Sequence, residues 1–182
     1  MVRTSFRVMA AVAVLLTLNG CSPGPSDPTA WNGIYVLDKE QSDDIDQWSS
    51  VQLSLSASTD SVHIRRDFAS GRYKRFDSYG VPVDGVAHDV PQENSSKWLD
   101  NVHIGVFFRA GEPSTLSAEF SDDYRTLTTE LLQTAETSTG QAEIVTSRVF
   151  ELLDDGSQIR VVEKRSTRDE PLTFVFKRKT EA

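Results

Sequence analysis

The chain has 182 residues, 38% of them hydrophobic, and a formal net charge of −8. Its acidic balance disfavours non-specific nucleic-acid binding, which depends on Lys and Arg neutralising phosphates, and disfavours electrostatic docking onto an anionic bilayer. Cys21 is the single cysteine, so no intramolecular disulfide can form.

The N-terminus reads as an export signal. Arg3 and Arg7 form a basic start, Val8 to Leu18 is an apolar run of 11 residues, and Asn19 and Gly20 end it. A spanning helix needs about 20 apolar residues, so this run is too short to cross a bilayer. Leu18-Asn19-Gly20-Cys21 resembles the lipobox of bacterial lipoproteins, in which an apolar residue and two small ones precede a cysteine. Asn19 departs from that pattern. The resemblance implies cleavage after residue 20, a covalent diacylglycerol and acyl chain on Cys21, and no other cofactor. It also implies attachment to a cell-envelope membrane through lipid, which the physics of acyl anchoring supports: one chain binds marginally and two or more bind stably. Ser22 follows the cysteine where an Asp tends to retain such proteins in the inner membrane, so the family implies an outer-membrane location facing the periplasm. Removing residues 1–20 takes away Arg3 and Arg7 and no acid, which makes the remaining chain more acidic still.

Residues 21–30 contain three prolines and a glycine and read as the lipidated Cys21 with a flexible tether. Residues 31–182, about 150 in number, suit a single domain. Their apolar residues fall almost everywhere at period two, the mark of strands with one buried face.

Gly33 to Asp38 reads as a first strand. Asp38 to Trp48 reads as the one short helix, with Asp38 as cap, Gln41 at capping-box distance, and Ile45 and Trp48 facing the core together. Val51 to Ala57 and Val62 to Phe68 form a hairpin across Ser58 to Ser61, with Arg66 the one misfit on the apolar parity. Arg72 to Tyr79 is a poorer strand, followed by a short Val81–Val83 piece between turns at Gly80 and Asp84-Gly85. Val86 to Asn101 reads as a long loop. Val102 to Phe108, Leu116 to Phe120, Tyr124 to Leu132 and Glu143 to Leu153 follow as strands, the last with apolar residues on both faces. Asp154-Asp155-Gly156 marks a hairpin turn. A last hairpin joins Ile159 and Val161 to Leu172, Phe174 and Phe176.

About ten strands with short turns predict an all-β fold. An up-and-down meander closed as a barrel is favoured, because closure removes exposed edges; a β-sandwich is the alternative. Gly33 to Ser42, Asp77 to Gly85 and Ser121 to Thr128 resemble stretches of exported bacterial proteins with lipocalin-like, calycin-type barrels. In that group the third stretch reads Ser-x-Asp-Gly-Lys-x-Leu-Thr, where this chain has Asp123-Tyr124-Arg125. The Gly-x-Trp hallmark is absent, since the order here is Trp31-Asn32-Gly33; Trp31 is read as an ordinary partly buried aromatic rather than a plug. The resemblance implies a cavity for a small apolar ligand, although a fold alone does not license a function.

Chemistry is sparse. No Gly-x-Ser-x-Gly elbow, phosphate-cradling glycine loop or calcium-loop spacing occurs. His63 and His103 fall on polar parities and read as surface residues. Asp84, His88 and Asp89 share a loop and are the one place where carboxylates and imidazole could hold a metal or perform hydrolysis. Arg65, Arg66, Arg72, Lys74 and Arg75, interleaved with Phe68, Tyr73 and Phe76, form the densest basic cluster; a charged face that blocks edge pairing is the simplest reading. The expectation is a non-enzymatic, lipid-anchored envelope protein that binds a small apolar ligand or an envelope protein. An interaction module without a cavity, and a hydrolase using Asp84, His88 and Asp89, are the alternatives.

Overall fold

A computed structural model of the chain describes residues 27–45, 48–91, 93–94, 107–108, 113–137, 140–153 and 156–180. The period-two pattern becomes one antiparallel sheet. Its strands are β1 Gly33–Leu37, β2 Ser50–Ala57, β3 Ser61–Ser70, β4 Tyr73–Pro82, β5 His88–Val90, β6 Glu93–Asn94, β7 Phe107–Phe108, β8 Ser114–Phe120, β9 Thr126–Thr137, β10 Gly140–Leu153, β11 Gln158–Arg165 and β12 Leu172–Arg178. The order β5-β8-β9-β10-β11-β12-β1-β2-β3-β4-β6 is an up-and-down meander in which β12 returns to pair with β1. The seam between β4 and β8 is stitched by Gly85, whose N–H donates to Ala118 O at 3.0 Å, and by a bridge between Asp84 and Glu119. The barrel is therefore nearly closed.

Inward residues of every long strand meet in one core that includes Tyr35, Leu53, Val62, Leu127, Phe150 and Ile159. Outward residues are mostly polar, as alternation requires. The poorer strand and the short Val81–Val83 piece prove to be one strand, β4, paired with β3 from Ser61↔Pro82 to Ser70↔Tyr73. Of the strand expected at Val102 to Phe108, only Phe107 and Phe108 lie within the described residues, and they pair with β9.

The short helix expected after the first strand is absent from the described residues. Asp38 does receive the bonds of a cap: its carboxylate accepts from Glu40 N at 3.0 Å and from Gln41 Nε2 at 2.6 Å. The chain then runs along β12 instead of coiling. Asp38 N donates to Val175 O and Asp43 N to Thr173 O, both at 2.8 Å. In return Val175 N donates to Ser42 Oγ at 2.9 Å and Thr173 N to Asp43 Oδ2 at 2.6 Å. β1 stops at Leu37 while β12 begins at Leu172, so the residues after Leu37 supply the missing partners of β12. Backbone groups left unpaired there would cost more than a short helix gains. Ile45 and Trp48 still pack against the core, as expected. A 3-10 turn lies before β1, at Pro28–Trp31, capped by Asp27. Three residues read as tether thus belong to the folded body, and Pro28 is buried.

Candidate functional site

The two ends of the barrel differ. At the base, the Pro28–Trp31 turn brings Trp31 under the interior, where it is 0% exposed and its Nε1 donates to Tyr124 O at 2.7 Å. Its ring lies 5.7 Å from Phe120, which in turn meets Tyr124 edge-on at 5.8 Å. Trp31 is a plug, contrary to the reading of an ordinary partly buried aromatic. Arg178, at the end of β12, holds the plug from below. Its Nε donates to Gly156 O at 2.7 Å, Nη1 to Asn32 O at 2.5 Å and Nη2 to Ala30 O at 2.6 Å. The guanidinium also lies 4.6 Å over the Tyr35 ring and bonds the phenol oxygen. Burial raises the Tyr35 pKa, with Arg178 pulling against it.

The Ser121 to Thr128 corner completes the base. Asp123 Oδ1 accepts from Ser121 Oγ at 2.7 Å and from Arg125 N at 3.1 Å. Tyr124 occupies the glycine position of the resembled pattern and has a φ of 52°, the left-handed conformation that glycine adopts freely.

Towards the other end, which we term the mouth, the inward positions change from apolar to charged. Arg66 on β3 faces Asp77 on β4 in register and donates through Nε at 3.0 Å and also through Nη2. Across the interior, Arg148 on β10 faces Glu163 on β11 and donates Nε to Oε2 at 2.6 Å. Arg165 Nη2 lies 2.9 Å from Glu163 Oε1. Arg66 Nη1 reaches Glu163 Oε2 at 3.3 Å and joins the two walls. Asp77 and Glu163 are 2% and 5% exposed. Burial alone raises the Glu163 pKa, but Arg148, Arg165 and Arg66 together outweigh it and hold the carboxyl well below the usual range. Tyr79 accepts from Gln133 Nε2 at 3.4 Å beside this cluster, and its pKa is raised, chiefly by burial.

Above the Arg66–Glu163 contact is a cavity of about 30 Å³, walled by Leu37, Val51, Phe68, Phe174 and Phe176 and roofed by Ile45 and Trp48. Small-molecule sites occupy about 300–1,000 Å³, so this space suits water rather than a ligand.

The residues singled out in the sequence scatter. Asp84 and His88 do meet, with Nε2 at 3.0 and 3.1 Å from the two carboxylate oxygens. The Val86 N–H and then His88 lower the Asp84 pKa. Asp89 points to the opposite face of β5 and accepts from Thr115 Oγ1 at 3.1 Å. Among the described residues no group of three potential metal ligands forms. His63 is exposed, with Nε2 at 2.9 Å from Ser78 Oγ; Ser78 itself is buried, out of reach of a substrate. His103 and Cys21 lie outside the described residues. The basic cluster splits. Arg66 and Phe68 turn inward, Arg65 stacks 4.3 Å over Phe76, and Arg72, Lys74 and Arg75 stay at the tip of the β3–β4 hairpin.

Sequence reasoning flagged Arg66 as a misfit and missed its partners. The same signal was present for them: Arg148 shares parity with Ile144 and Phe150, and Glu163 and Arg165 share parity with Ile159 and Val161. No protein-family model, curated protein or solved structure matches the chain.

Proposed function

We propose that the chain is a lipid-anchored envelope lipoprotein whose barrel is a non-enzymatic interaction module, with its binding surface at the mouth. The observation that carries this reading is the packing of the described interior. The base is plugged by Trp31 and clamped by Arg178, the middle is packed by Tyr35, Leu53, Phe150 and Ile159, and the level above is cross-linked by the Arg66–Glu163–Arg148 lattice. A barrel whose interior is occupied by its own side chains binds at its surface, and loops are where such surfaces are built. The chain enters at the base, beside Asp27. An anchor on Cys21 therefore leaves the base towards the membrane and the mouth away from it. Among the described residues, the tip of the β3–β4 hairpin and the segment that runs along β12 lie at the mouth.

A second reading, a small amphipathic ligand held at the mouth, draws on one observation. Thr129 Oγ1 is buried and has no hydrogen-bond partner among the described residues, and Thr129 faces Arg148 in register. A wholly apolar ligand suits this level of the barrel poorly, because it would leave the charged groups there without polar contacts.

The anchor is tested by growing cells that express the full chain with labelled palmitate. Label should enter the protein and be lost in Cys21→Ala; an unlabelled wild-type protein would overturn the anchor. The site of binding is tested by photo-crosslinkers in intact cells. Adducts are expected from position 73 at the mouth and not from position 58 at the base; the reverse pattern would overturn the orientation.

A further inference from the structure

The β3–β4 hairpin carries a feature that the barrel itself does not need. At its tip, Arg72-Tyr73-Lys74-Arg75 places three cations in four residues of a chain whose net charge is −8. Among the described residues no carboxylate pairs with Arg72, Lys74 or Arg75; Arg75 Nη1 donates to Lys74 O at 2.9 Å. Tyr73 is 58% exposed, and the Arg72 guanidinium lies 5.7 Å from its ring centre. The last strand pair with a core residue is Phe68↔Arg75, so the tip projects past the core. The turn is made by Gly71 at a φ of 56°, which holds the tip tight without a side chain. On the outer face just below, Arg65 stacks on Phe76 and is neutralised by Asp67, at 2.8 and 2.7 Å.

Charges on an edge strand keep it from pairing with another chain. That purpose is met by Lys74 and Arg75 alone and is not helped by an aromatic ring left in water. A cation-flanked, exposed tyrosine fits a different ligand: a polymer that offers a flat apolar face beside a negative group. Sugar rings bearing carboxylate or phosphate are that chemistry. We infer that the Arg72–Arg75 tip is a docking surface for an acidic polysaccharide. The acidic remainder of the molecule repels such a polymer and leaves this hairpin as the place of approach. The tip lies at the mouth, opposite the chain entry, and so faces away from the membrane that holds the anchor. The choice of an envelope glycan as partner rests on the envelope reading above; the tip's preference for acidic sugar polymers does not.

The test uses the full chain in detergent. Labelled polygalacturonate and a phosphate-bearing mannan are titrated in separate arms, with polyglutamate and phosphatidylglycerol vesicles as competing partner classes. Both glycans, or the one bearing the preferred group, should bind, and binding should weaken with salt. The triple variant Arg72→Ala, Lys74→Ala, Arg75→Ala should lose about tenfold or more in affinity, worth ~1.4 kcal/mol per factor of ten. Tyr73→Ala should weaken glycan binding and leave polyglutamate unchanged. Unchanged melting temperatures for both variants separate docking from folding. The inference is overturned if neither glycan binds, if the triple variant binds as well as the wild type, or if polyglutamate binds as tightly without regard to Tyr73. It is also overturned if vesicle association is the only binding the triple variant loses. None of these outcomes bears on palmitate labelling, so the anchor stands or falls separately.

Discussion

Glu163 is the residue on which the charged level of the barrel turns, because it contacts Arg66, Arg148 and Arg165. Removing one partner of a buried ion pair costs about 3–5 kcal/mol. Glu163→Gln should therefore destabilise the protein by about that amount in urea unfolding, and a change below about 1 kcal/mol would mean that the lattice is not buried as described. The pH dependence follows from the same charges. The folded pKa of Glu163 lies below its ordinary value of 4.5. Its contribution is thus fully present above that value and is lost as pH falls towards the folded pKa. Asp38, lowered to about 2 chiefly by Lys177 and Gln41, acts in the same direction. Stability should decline steadily below about pH 4.5, and Glu163→Gln should show a shallower decline over that range. At this scale the sequence was partly legible. Parity marks Arg66, Arg148, Glu163 and Arg165 as inward, but parity cannot tell which inward charges meet, because Arg66 and Glu163 are 97 residues apart.

The elements were the most legible level, and the segment after β1 was the exception. Asp38 and Gln41 spell a helix start, and both make the bonds of one. What the local pattern could not reveal is that β12 outruns β1 and needs partners for Thr173 and Val175. Long-range backbone demand overrode a local signal. Ser42→Ala should remove the acceptor of the Val175 N–H and cost about 1–3 kcal/mol. Hydrogen exchange at Val175 should speed up in that variant while exchange in β9 and β10 stays unchanged. A protected Val175 amide in Ser42→Ala would show that the loop does not complete the strand. β4 was expected as two pieces because Gly80 resembles a turn. Gly80 instead lies within the strand, where a Cβ would sit 3.5 Å from the His63 ring. Position 124 is the converse case. The corner was read from the resemblance of Ser121 to Thr128 to a pattern with glycine at this place, and Tyr124 has a φ of 52°, a conformation that glycine adopts freely.

At the level of the whole molecule, the fold is a barrel with one plugged end and one charged end. Trp31 determines the first. Its indole is buried against Phe120 and bonded to the Tyr124 carbonyl, so Trp31→Ala should cost about 3–5 kcal/mol, the range for truncating a large buried aromatic. Arg178→Lys should also destabilise, since an ammonium cannot reach the Ala30, Asn32 and Gly156 carbonyls at once. A melting temperature unchanged in both variants would remove the plug from the account. The all-β meander was legible in the alternation of residues. The contents of the barrel were not, because apolar and charged inward residues follow the same period and only their positions along the strands separate plug, core and ionic level. The expectation of an apolar cavity came from resemblance; the space lined by Leu37, Val51, Phe68, Phe174 and Phe176 is about 30 Å³.

The central claim is that this barrel is filled by its own side chains and binds at its surface. Native mass spectrometry of the full chain, extracted gently from an envelope into detergent, tests it most directly. The account predicts the mass of the chain with its covalent lipid and nothing further that denaturation removes, including after incubation with envelope lipid extract. A stoichiometric mass of a few hundred daltons that disappears on denaturation would contradict it and place a ligand inside the barrel.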